Sequence, residues 1–249
     1  VLYGIPLSES NRFRFGFDIH QIDLDVGRQA SDEIVEFKDK EGDDFLNFET
    51  TLSWRGDSRD SAIFPKSGGT QAVFAELSLP GSDLTYYKLS YENQRYWPLA
   101  ERLTFSLSGE IGYGDDFGDT SRLPIWENYF GGGPNTVRGF AARSLGPRDS
   151  NGDPLGGNAS YFGSAELLFP PPFMSDIDTV RLVTFFDVGS VIDTDETDFF
   201  DPDELRYSAG IGGSWLSPVG ALTVSYAVPI NADNQDEEEE FQFNFGQTF

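Results

Sequence analysis

In ERLTFSLSGEIGYG, residues 101–114, Leu103, Phe105, Leu107, Ile111 and Tyr113 share one parity, and Arg102, Thr104, Ser106, Ser108 and Glu110 share the other. A strict period of two marks a β-strand with one apolar and one polar face. The pattern recurs in NRFRFGFDI, FLNFETTLSW, ALTVSYAV and FQFNFGQTF. About eleven such segments are legible, spanning roughly 1–7, 11–24, 45–56, 70–80, 84–97, 101–114, 159–169, 178–191, 204–216, 219–230 and 240–249. Most approach the roughly 10 residues of a tilted strand that crosses a bilayer. The fold class this predicts is all-β.

A soluble sandwich also alternates, but its strands average about 5–6 residues and its polar faces look to solvent. Here Phe, Tyr and Trp gather near the strand ends, as an aromatic girdle would. Connector lengths also alternate. Short ones fall at 8–10, 98–100, 170–177 and 217–218, and long ones at 25–44, 115–158, 192–203 and 231–239. Outer-membrane barrels show this asymmetry, with short periplasmic turns and long outer loops. Two connectors run against it: 57–69 is long on the short side, and PGSD is short on the long side. The prediction is a transmembrane antiparallel β-barrel. Leu46, Phe105, Leu107, Leu167, Leu182, Val224 and Phe243 should face lipid, and Glu49, Ser106, Glu110, Glu166 and Asp187 the interior. In DIHQIDLD the apolar parity changes between Ile19 and Ile22, which predicts a bulge.

Composition removes several classes. Hydrophobic residues make up 38% of the chain, mean hydropathy is -0.37, and no run nears the roughly 18 apolar residues of a membrane helix. A net charge of -25 argues against nucleic acid as a partner. There is no cysteine, which removes disulfides and thiolate metal sites and fits an oxidising compartment. The opening VLYGIPL has no leader character, so any signal peptide is expected to be gone already. The only histidine is His20, on the polar parity of its strand, and neither HExxH nor GxSxG occurs. An enzyme is not expected, nor a cofactor.

DTDETDFFDPDE and DNQDEEEE contain no basic residue. They read as solvated, self-repelling outer surface. Asp193, Asp195, Thr197 and Glu204 match positions of a calcium loop, but Asp198 stands where that loop needs glycine. DSNGD (Asp149, Asn151, Asp153) is a second partial match. The expectation is no metal.

FGGGPNTVRGF, residues 130–140, lies in the longest connector and lacks the Lys-Ser/Thr end of a phosphate loop. Glycines permit the turns and proline stiffens them, so this segment can fold into a barrel mouth and carry Arg138 inside. A buried arginine must find carboxylates. Parity supplies two: Glu166 shares its face with Ser160 and Ser164, and Asp187 lies opposite Leu182, Phe186 and Val188.

TVRGF, SLGP, AELLFPPPF, FFDVG, SWLSPVG and the terminal FQFNFGQTF, in this order, resemble the BamA family of outer-membrane barrel-assembly insertases. The resemblance covers essentially the whole chain. It implies a bacterial outer-membrane location and a sixteen-stranded parent barrel whose sixth outer loop enters the lumen. The loop motif would be Val137, Arg138, Gly139 and Phe140, and Arg138 would meet Glu166 and Asp187, with Phe186 and Gly189 flanking the acid. It implies unfolded outer-membrane proteins as substrates, surrounding outer-membrane lipid, and accessory lipoproteins as partners of the parent. A weak seam between the first and last strands would open sideways and template incoming strands. Phe241, Phe243, Phe245, Gly246 and Phe249 would form the seam strand and an assembly signal. A secretion or translocation pore of the same superfamily, or a passive channel, is the alternative.

Relative to that family, periplasmic POTRA domains and about five leading strands are missing, which predicts the C-terminal part of a barrel domain over 1–249. Eleven strands put residue 1 outside and residue 249 in the periplasm, whereas natural single-chain bacterial barrels have an even count. Segments 1–7 and 241–248 then run in the same direction. A strained parallel closure, or an added strand from another chain, is expected at that seam.

Overall fold

The computed structural model describes residues 1–172, 179–218 and 220–246. Its strands are β1 (Leu2–Pro6), β2 (Asn11–Asp23), β3 (Asp44–Asp57), β4 (Gly68–Ser78), β5 (Tyr86–Ala100), β6 (Leu103–Asp116), β7 (Gly139–Phe140), β8 (Ala159–Phe169), β9 (Val180–Ile192), β10 (Arg206–Ser217), β11 (Gly220–Pro229), β12 (Glu238–Glu239) and β13 (Phe241–Phe245). Eleven of them form one antiparallel sheet in the order β1-β2-β3-β4-β5-β6-β8-β9-β10-β11-β13. The remaining pair, β7 and β12, form a small ladder of their own. Apart from β7 and β12, which lie between sheet strands in the chain, each strand of the large sheet pairs with the next, as hairpin connections require.

The sheet curls. Glu92 of β5 lines the same cavity as Thr223 of β11 and Gln242 of β13. Tyr96, Leu168, Val183, Phe185 and Ala227, from four different strands, pack into one cluster on the concave side. The faces sort by parity. Leu46, Leu107, Leu167, Val224 and Phe243 are exposed on the convex side. Leu182 shares that face, and Phe105 does too, stacked on Trp97 with ring centroids 5.7 Å apart. Glu49, Ser106, Glu166 and Asp187 are buried on the concave side, and Glu110 lines its cavity. The exposed apolar belt is the face that the alternation assigns to lipid.

Three expectations are corrected. No bulge interrupts β2: its pairing with β3 runs unbroken from Asn11↔Gly56 to Asp23↔Asp44. The parity change has another cause. Ile19 is exposed on the convex side, whereas Ile22 and Leu24 pack inward against a buried cluster of Phe37, Phe45, Leu84, Tyr86 and Leu123. The strand has left the lipid zone there, and its inner face meets protein instead of water. Phe37 comes from the second surprise, an α-helix α1 (Asp32–Glu41) inside the 25–44 connector. Acids in its first turn, lysines in its last, and a Glu36–Lys40 pair at 2.7 Å suit a helix of this polarity. Phe37 meets Trp126 edge-on at 5.5 Å, so the helix caps the long-loop end of the lumen.

The third correction concerns the seam. Among the described residues β1 pairs only with β2, and β13 only with β11, so the sheet does not close in parallel on itself. Both edge strands are five residues long and run the same way. Only the slanted, weaker parallel ladder could have joined them.

Candidate functional site

The long connector between β6 and β8 turns back into the lumen. Isolated bridges Tyr129↔Gly157, Gly131↔Leu145 and Arg148↔Pro154 tie it into a folded unit. Lys88 reaches in from β5 to Glu127 at 2.9 Å. The tip carries Val137, Arg138, Gly139 and Phe140, all buried. Gly139 sits at φ 95°, a left-handed conformation, and a Cβ there would meet Ala227 and Pro229 at 3.3 Å.

Arg138 grips the wall through its planar fork. Its Nε donates to Asp187 Oδ2 at 2.7 Å and its Nη2 to Asp187 Oδ1 at 2.7 Å. Nη2 also donates to Glu166 Oε1 and to Ser164 Oγ, each at 2.9 Å. The Arg138 backbone N–H adds a bond to Asp187 Oδ2 at 3.1 Å, and the Ser164 hydroxyl donates to Oδ1 at 2.6 Å. Asp187 is 0% exposed and Arg138 4%, so these are charge-assisted bonds in a largely dry setting. The Arg138 guanidinium carbon lies 3.4 Å from the centroid of the Phe185 ring.

The neighbours are shaped to admit the loop. A Cβ on Gly189 would fall 2.9 Å from Val137 Cγ2 and 3.0 Å from the Tyr161 carbonyl oxygen, and would collide with Phe162. Gly189 is therefore the floor on which Val137 rests. Phe186 sits beside the acid in the wall with its side chain on the convex side, as its parity requires, against Tyr207 at 6.0 Å. The ring that serves the arginine is Phe185, two residues from Asp187 and thus on its face. That parity step was available in the sequence.

Sequence reasoning missed the link between the loop and the last strand. Gln242 Nε2 of β13 donates to the Phe140 carbonyl at 2.7 Å, and Asn244 Nδ2 donates to Asn135 Oδ1 at 3.1 Å. Just before β13, Glu238 and Glu239 pair with Phe140 and Gly139 as β12 and β7. The outward Phe241, Phe243 and Phe245 are exposed. Gly246, at φ 95°, donates its N–H to the Ala221 carbonyl at 2.7 Å. Phe249 lies outside the described residues.

Among the described residues no three His, Cys, Asp or Glu side chains converge. Asp193 faces Arg122 at 3.5 Å and accepts the Asp195 N–H, while Glu204 sits in a separate short turn. Asp149 Oδ1 accepts the N–H groups of Asn151 and Asp153, which shapes a turn. That turn holds α1: Ser150 Oγ accepts the Asp32 N–H at 2.8 Å, and its own N–H donates to Glu33 at 3.0 Å. The Ser150 N–H accordingly holds the Glu33 carboxyl below the usual glutamate range. His20 Nε2 lies 3.4 Å from Glu49 Oε2.

The model of the Omp85 superfamily domain matches residues 1–249. The chain belongs to the Omp85 superfamily. It is similar to the outer membrane protein assembly factor BamA of Neisseria meningitidis, 35% identical over 285 residues, covering all of this chain and 36% of that protein. Mouse sorting and assembly machinery component 50 homolog is 40% identical over 118 residues, 47% of this chain and 25% of that protein. A crystal structure of Haemophilus ducreyi BamA lacking POTRA domains 1–3 superposes with a TM-score of 0.89 at 29% identity, covering 97% of this chain and 52% of that one. This Omp85 chain thus spans about a third of the bacterial relative in sequence and about half of the solved structure.

Proposed function

We propose that this chain is the C-terminal part of a larger barrel, sixteen-stranded in the parent, that folds and inserts β-barrel proteins into the bacterial outer membrane. Unfolded outer-membrane proteins are its substrates, and accessory lipoproteins attend the parent. One observation carries the reading: Arg138 anchors the loop to Glu166 and Asp187, while the same loop holds the last strand through Gln242 and β12. An insertase needs an edge strand that is held yet releasable, and a loop fixed to the wall supplies a rigid hold on it. The relatives named as assembly factors and assembly-machinery components support the same reading. No bond-making chemistry is assigned; the work is the exchange of backbone hydrogen bonds at a strand edge.

The test is to reconstitute the full protein in liposomes and add a urea-unfolded eight-stranded barrel. Folding is read by the shift in gel mobility between heated and unheated samples. It should be faster than in empty liposomes and slower with Arg138→Ala. Equal rates with and without the protein would reject the reading. A secretion pore would instead deliver the polypeptide to the liposome interior, protected from protease and unfolded.

A further inference from the structure

The 58–67 connector is the long segment at the short-turn end of the sheet, and it folds back on itself. Asp60 Oδ1 accepts the N–H groups of Lys66 and Ser67, at 2.9 and 3.2 Å, and Ser58 donates to the Gly69 carbonyl at 2.8 Å. Phe64 is held at φ 51°, a costly conformation for an aromatic residue. Together with the ends of β6, β8 and β9 this segment encloses a cavity of about 600 Å³.

Arg181, at the start of β9, lines that cavity and is 6% exposed. Other well-covered arginines have acid partners: Arg138 has Asp187, Arg59 has Asp57 and Arg206 has Asp236. Arg181 makes no hydrogen bond or ion pair among the described residues, and its enclosed Nη1 has no acceptor. Phe64 is its aromatic neighbour, 5.8 Å away. Glu166 and Asp60 act on it only through space, and Glu166 Oε1 is already taken by Arg138. A buried unpaired charge is expensive, so the side chain is poised for an anion supplied from outside.

We propose that Arg181 anchors a subsite at the short-turn mouth for a carboxylate carried by a polypeptide with apolar neighbouring side chains. A planar guanidinium with a free edge suits a carboxylate. Among the described residues Lys66 also lines the mouth, beside Asp60 and Glu101, so the Arg181 fork rather than an excess of charge selects the anion. Ile63, Leu168, Phe169 and Val180 line the rest, and they offer a small free ion nothing. The volume lies in the range of roughly 300–1,000 Å³ typical of ligand pockets.

The test uses the full-length protein in detergent micelles and acetyl-Leu-Asp-Phe-amide carrying a neutral dye, followed by fluorescence anisotropy. Binding should saturate, be abolished by Arg181→Gln, and weaken roughly tenfold with Phe64→Ala, which removes apolar wall and leaves the cation. The Asn counterpart of the peptide should not bind. Equal binding of that counterpart, or full displacement by equimolar acetate or phosphate, overturns the proposal, as does no binding at all. A merely structural arginine is distinguished by unfolding: Arg181→Met should raise the midpoint of the unliganded protein, because it removes an unpaired buried charge. A lowered midpoint overturns the proposal.

Discussion

Arg138 is a cation with two buried acids, and the acids cannot leave. Arg138→Ala strands Glu166 and Asp187 and should cost about 3–5 kcal/mol, read from denaturant unfolding. Arg138→Lys keeps the charge but loses the paired bonds to Asp187 and the stacking on Phe185, so it should restore only part of that stability. A lysine variant as stable as the parent would show that charge alone suffices. Gly189→Ala tests shape without charge: its methyl must displace Val137 or Phe162, and it should loosen the loop and raise its protease sensitivity. Glu166 and Asp187 were legible because inward positions repeat every second residue. Ser164 and Phe185 obey the same count. Only the folded loop shows that Arg138 touches both of them.

At the scale of elements, β13 has one strand neighbour and one loop neighbour among the described residues. Gln242→Ala removes the side-chain bond to Phe140 and leaves the β11 ladder intact. Amide exchange in 241–245 should quicken while β8 and β9 stay protected. Unchanged exchange would show that the loop does not hold this strand. Helix α1 escaped the sequence reading because its ten residues carry only one buried side chain, Phe37. A helix so short draws its stability from tertiary contact rather than propensity. Its latch to the loop depends on ionised Glu33. A glutamate depressed on folding contributes stability above its unfolded value, about 4.3, and loses it as pH falls through the lower folded value. Exchange at the Ser150 amide should therefore accelerate in that acid window, and Glu33→Gln should abolish the dependence.

For the whole molecule, two surfaces oppose each other in character. The convex belt is apolar, and the loop end is crowded with acids, as the net charge of -25 reflects. Raising salt from about 0.01 to 0.15 M shortens the screening length from about 30 to 8 Å and should raise the unfolding midpoint by relieving repulsion among exposed loop acids. The buried Arg138 contacts should contribute little to that response, so Arg138→Ala should show the same salt increment. A midpoint that falls with salt would mean that exposed ion pairs outweigh the repulsion.

Strand number, direction and facing were all written in the chain, because alternation is a local property and a one-residue slip would turn every side chain to the wrong face. Glu166 and Asp187 were readable for the same reason, whereas Arg138 stood out by its glycine-rich connector and by the family resemblance. What the chain did not disclose depends on contacts between segments distant in sequence. The inward turn of Ile22 exists because α1 covers that stretch of β2, the hold on β13 exists because a loop tip lies beside Gln242, and Arg181 has no acid within bonding distance among the described residues because the segment folded over it brings none. No period in the sequence encodes those meetings. They arise when a curled sheet brings β5 and β13 around one lumen and encloses what the loops place inside.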